Sequence, residues 1–220
     1  MRRRAVAVVA LTLAVATAAA GIALAVASGI GAGTAGDGNP GTSASTSAPA
    51  ASSDSEPPVA ADDYCYVEAM IYYRVKELEL AETLQRKDGV DAGALGFAAG
   101  IAARDAEELE DLRAWYLSWA DARPLEPPAD GPCGGHGADH AQMPGMPPWS
   151  TLQGFVDAPH PEAERRFAEI LRDQNAGMVA LVALVLDGDP HPDVVESAER
   201  VLERAEADAA TLQGILDALP

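Results

Sequence analysis

The chain carries the same helical hairpin twice, and this repeat restricts the fold more than any other feature. Tyr66, Met70, Leu80 and Leu84 return as Phe167, Leu171, Leu181 and Val185 at one constant offset. Beyond an Asp-Gly turn in each half the offset drops by one, and Ala98, Ile101, Arg104 and Leu112 match Ala198, Val201, Arg204 and Leu212. One amphipathic hairpin cannot bury its apolar stripe alone. Two copies joined by a long connection therefore predict an all-α four-helix bundle with pseudo-twofold symmetry.

Apolar residues recur with helical period, and alternating β-branched runs are missing. The first helix is expected over residues 62–86, with Val67, Met70, Ile71, Leu78, Ala81 and Leu84 facing the core. The second is expected over residues 92–122, with Leu95, Ala98, Ile101, Ala102, Leu109, Leu112, Tyr116 and Trp119 inward and Pro124, Pro127 and Pro128 ending it. A long loop fills residues 123–160. The third helix starts near Pro161, where Glu162 and Glu164 suit the positive end of the helix dipole. It carries Phe167, Ile170, Leu171, Met178, Leu181, Val182 and Val185. The fourth starts near Pro192 and presents Val194, Val195, Ala198, Val201, Leu202, Ala205, Leu212, Ile215 and Leu216. The bundle domain spans residues 62–220, as repeat one (62–122), loop (123–160) and repeat two (161–220).

Residues 1–33 open with Arg2-Arg3-Arg4 and continue without charge, the pattern of an export signal or an N-terminal membrane anchor. Ala25-Val26-Ala27 is a fair cleavage site, while the length of the run is close to the ~20 residues that span a bilayer. Both readings place the remainder outside the cytoplasm, in the cell envelope, anchored or secreted. Residues 34–61 are rich in Gly, Ser, Thr, Ala and Pro and lack large apolar side chains, as expected of a flexible linker. The net charge of −19 resides on the bundle, because Arg2, Arg3 and Arg4 offset Asp37, Asp54 and Glu56. Such a surface excludes nucleic acid as a partner. In an oxidising compartment Cys65 and Cys133 are expected to form a disulfide.

The repeat resembles the exported, ferritin-like domain-of-unknown-function 305 (DUF305) family. Three stretches carry the resemblance: Tyr66 with Ala69-Met70-Ile71, Phe167 with Ile170-Leu171-Arg172, and Met143-Pro144-Gly145-Met146 in the central loop. The resemblance implies a ferritin-like four-helix bundle. In that family each of the two helical stretches is followed by adjacent histidines, and some members bind copper. Here Tyr73-Arg74 and Gln174-Asn175 stand in those places. Arginine cannot ligate a metal, and neutral amides are poor ligands for soft copper.

Arg74 follows Val67, Met70 and Ile71 on one helical face, so its stem points inward. A buried arginine needs a carboxylate, and Asp105 on the apolar face of the second helix is the expected partner, with Glu108 the second choice. Gln174 and Asn175 are expected to join this polar network. The alternative is that Arg74 turns outward to solvent.

The central loop holds His136, His140, Met143 and Met146, whose nitrogens and sulfurs suit copper. Gly134, Gly135, Gly137, Pro144, Gly145 and Pro147 rule out a regular helix there, which leaves either a pliable metal site or a plain flexible loop. His160 and His191 each precede a proline and read as helix-boundary residues. Ferritin-like iron sites need Glu-x-x-His, which the bundle lacks, and neither a Gly-x-Ser-x-Gly elbow nor a phosphate loop occurs. The expectation is a non-catalytic exported bundle without a cofactor, acting on a protein partner the sequence does not name. The alternative is an extracytoplasmic copper-binding protein using the His/Met loop.

Overall fold

The computed structural model describes residues 57–126, 131–133 and 140–220. The expected leader and nearly all of the linker lie outside them. Regular structure among the described residues is entirely helical. Helix α1 spans Ala61–Gln85, α2 Ala92–Ser118, α3 Trp149–Asp157, α4 Glu162–Leu186 and α5 Pro192–Ala218. None of them is long and apolar enough to cross a membrane.

The repeat is exact in helix length. Helices α1 and α4 have 25 residues each and α2 and α5 have 27 each. Both ends of α4 lie 101 positions after those of α1 (61 to 162, 85 to 186), and both ends of α5 lie 100 after those of α2 (92 to 192, 118 to 218). Helix α1 packs along α2, α4 along α5, and α1 on α4, so α1 and α4 form the seam between the hairpins. Buried side chains from both repeats fill two apolar clusters. One gathers Tyr66, Met70, Val182 and Val201, the other Leu84, Ala98, Phe167 and Leu212.

Val67, Met70, Ala81 and Leu84 of the expected α1 stripe are buried, and the stripe departs from expectation at two positions. Leu80 is buried, whereas Leu78 and Ile71 are half-buried. Glu77 takes the inward place beside Leu78. The buried face of α1 therefore includes Arg74 and Glu77, and helical period alone cannot separate such a stripe from its apolar neighbours.

The connection between the repeats is not all loop, contrary to expectation. A turn of 3₁₀ helix at His140–Gln142 precedes α3, which packs on α4 through Phe155, whose ring lies 6.2 Å from that of Phe167. The Lys87 ammonium donates to the carbonyls of Val156 and Ala158 at 2.7 and 2.8 Å and ties this helix to the end of α1.

Each second helix of a hairpin is braced by the other hairpin. Asp63, in the first turn of α1, accepts the backbone N–H of His191 at 2.7 Å, and His191 is the N-cap of α5. Glu164, its counterpart 101 positions on (63 to 164), accepts the N–H of Asp91 at 2.5 Å, and Asp91 is the N-cap of α2. Helix N-termini leave backbone donors unpaired, and a buried carboxylate satisfies one while meeting the positive end of the dipole.

Candidate functional site at the hairpin seam

Tyr73-Arg74 and Gln174-Asn175, the positions the resemblance singles out, lie on α1 and α4, the two helices that pack at the seam. Arg74 is 2% exposed, so the outward alternative does not apply. Its Nη1 donates to Glu77 Oε2 at 2.6 Å, one turn ahead on the same helix. Its Nε lies 3.0 Å from Glu108 Oε2 on α2, an ion pair that is off the N–H direction. The same Nη1 reaches the Met178 sulfur of α4 at 3.3 Å. Burial alone would depress the guanidinium pKa, but Glu77, Glu108 and Asp105 hold it above its usual range.

Asp105, the expected first partner of Arg74, is therefore not its direct contact. Asp105 is 0% exposed and its Oδ1 is 3.3 Å from Arg104 Nε on its own helix. Asp105 and Glu108 lie three apart on one face of α2. The axial register of α1 against α2 brings the arginine to the second of them. Glu108 is shared with Arg204 of α5 at 3.1 Å, and Arg104 also reaches Asp208 of α5 at 3.2 Å.

Gln174 and Asn175 do not join this cluster as expected. Gln174 is buried, and its Nε2 donates to the Met146 sulfur at 3.5 Å. Asn175 donates to the Ala205 carbonyl on α5 at 2.8 Å, which holds the second hairpin together. Residues 174 and 175 point to different neighbours because consecutive helical positions are about 100° apart.

The Met143–Met146 segment is a fixed strap across the seam, not a pliable loop. Tyr73 donates its hydroxyl to the Pro144 carbonyl at 2.6 Å, and burial raises its phenol pKa. A β-carbon on Gly177 would collide with that carbonyl, and one on Gly145 would collide with the Asp173 carbonyl of α4. Gly145 also has φ +74°, which favours glycine. Met143 is buried in the core. The Cys65–Cys133 disulfide anchors the chain leading into the strap to the start of α1.

The expected metal ligands among the described residues do not all gather: His140 and Met146 share one hollow, and Met143 is apart from them. His140 stacks on Tyr72 with ring centroids 3.4 Å apart. It lines an open hollow of roughly 260 Å³ together with Met146, Lys76 and Trp149. Met143 is in the core, and His136 lies outside the described residues. Among the described residues, no group of three or more His, Cys, Asp or Glu side chains is placed to hold a metal ion.

Nor do the seam residues fit copper. The Met178 sulfur faces a guanidinium, and the Met146 sulfur faces an amide N–H. A fixed positive charge beside a thioether repels the cation that the sulfur would otherwise attract.

The paired carboxylate braces are not evident from either residue alone, although Asp63 and Glu164 occupy equivalent repeat positions. That equivalence was the available signal. His160 is more than a boundary residue, since its Nδ1 lies 2.6 Å from Glu164 Oε2.

The architecture and the seam define an all-helical two-hairpin domain whose central polar positions are closed by its own ion pairs. The chain belongs to the DUF305 family (domain of unknown function), whose model matches residues 63–216. A DUF305 fragment from Deinococcus radiodurans is similar in structure, with TM-score 0.60 and 23% identity, covering 74% of this chain and 100% of that one. A DUF305 protein from Streptomyces coelicolor, described as secreted, has TM-score 0.59 and 17% identity, covering 72% of this chain and 93% of that one. At these identities the likeness speaks for the fold. No curated protein matches the chain.

Proposed function

We propose that this is a non-catalytic, extracytoplasmic helical module that acts through a protein partner and has exchanged its family's metal-ligand positions for an internal ion-pair cluster. One observation carries the reading: Arg74, at a histidine position of the family, is buried against Glu77, Glu108 and the Met178 sulfur. The leader, with Arg2-Arg3-Arg4 followed by an uncharged apolar run, and the secreted description of the Streptomyces relative support export.

A second reading, copper binding by the central segment, is supported by His140 and Met146 lining the same open hollow. Titration with Cu(I) under reducing conditions separates the two. The first reading expects no stoichiometric uptake above background. Tight uptake that disappears when His136, His140, Met143 and Met146 are replaced together would establish the second.

A further inference from the structure

We infer that the seam holds one exchangeable proton, on the carboxyl group of Asp105, and that this proton couples the stability of the folded domain to pH. Asp105 is wholly buried. Its Oδ1 takes the Arg104 contact, while no donor nitrogen among the described residues reaches its Oδ2. Glu77 is also buried, and its negative charge disfavours a second bare carboxylate at Asp105 in a dry interior. A proton removes the Asp105 charge and turns its unpartnered oxygen into an O–H donor.

The surrounding charges call for the same proton. Helix α1 contributes Arg74 and Glu77, α2 contributes Arg104 and Glu108 beside Asp105, and α5 contributes Arg204 and Asp208. From α4 come only the neutral Gln174, Asn175 and Met178. The phenols of Tyr66 and Tyr73 on α1 are kept protonated by burial. Three arginines thus face four carboxylates, and one bound proton balances them. Burial, then the charge of Glu77, pushes the Asp105 pKa up to about 8, against the pull of Arg74 and Arg104.

The direction of the coupling follows. Below pH ~4 both folded and unfolded chains hold the proton, and above about 8 neither does. Between these limits only the folded chain holds it. This contribution to stability is therefore complete at the acid end and is lost as pH rises through the window.

Urea unfolding of the full-length chain and of Asp105→Asn, from pH 5 to pH 8, tests this. Relative to the variant, the unfolding constant of the wild type is expected to rise by up to about tenfold per pH unit. Equal slopes for the two proteins would overturn the inference. If Asp105→Asn does not fold, ¹³C-carboxyl NMR of the wild type decides. One Asp or Glu resonance is expected to remain protonated at pH 6, whereas titration of every carboxyl below pH 5 would overturn the inference.

Discussion

Gly177 of α4 lies so close beneath the Pro144 carbonyl that no β-carbon fits between them. The hydroxyl of Tyr73 reaches the same carbonyl from α1 at 2.6 Å. The strap is therefore held by both seam helices at one peptide group. Gly177→Ala is expected to lift it and to destabilise the domain by ~1–3 kcal/mol, the usual cost of overpacking. Gly100→Ala, where a β-carbon meets open space in α2, is the control and is expected to be neutral or slightly stabilising. Urea midpoints of the two variants measure the difference, and equal midpoints would show that the strap yields without cost.

Replacing Arg74 by Met leaves the buried Glu77 and the half-buried Glu108 without their common partner. The expected loss is ~3–5 kcal/mol, because an uncompensated buried charge costs more than the ion pair contributes. Adding Glu77→Gln and Glu108→Gln to the same protein is expected to recover part of it. Thermal unfolding monitored by circular dichroism measures both effects, and a loss below ~1 kcal/mol for Arg74→Met would contradict this account of the seam.

Asp63→Ala and Glu164→Ala each remove the acceptor of a backbone N–H at the start of a helix in the opposite hairpin. Each is expected to cost ~1–3 kcal/mol. The braces lie at opposite ends of the assembly, since α1 runs from the α5 N-cap toward the α2 N-cap. The double variant should therefore show the sum of the single losses. A clear departure from additivity in denaturant unfolding would mean that the two ends are coupled through the seam.

Reducing the Cys65–Cys133 bond frees a loop whose ends are 68 positions apart. Chain entropy assigns such a link ~4 kcal/mol. Cys65→Ser with Cys133→Ser is expected to lower the guanidinium midpoint, and reductant is expected to shift the wild type toward the same value. Identical midpoints with and without reductant would show that the link does not constrain the unfolded chain.

The long helices were legible because their apolar residues repeat at the helical period and because each hairpin has a second copy. The Asp88-Gly89 break before α2 and Pro192 at the start of α5 placed the boundaries closely. Helix α3 was not legible: it has nine residues, with Pro147 and Pro148 before it and Gly154 inside, too few apolar positions to define a period. The choice of Glu108 over Asp105 depends on the axial register of two helices, which side-chain packing sets and residue spacing does not. Glu77 was missed because a charged residue next to Leu78 reads as a solvent-facing position. Gly145 and Gly177 allow close backbone approach, and sequence alone does not distinguish that role from pliability.

The matching helix lengths carry a further consequence at residue 74. Its repeat counterpart is Asn175, and the counterpart of Glu77 is Met178, so Arg74 touches both Glu77 and the neutral mate of Glu77. Two identical hairpins associating as separate chains would have to place arginine at both equivalent positions and glutamate at both others. Joining the hairpins in one polypeptide removes that obligation: one half can keep the cation while the other supplies uncharged side chains around it.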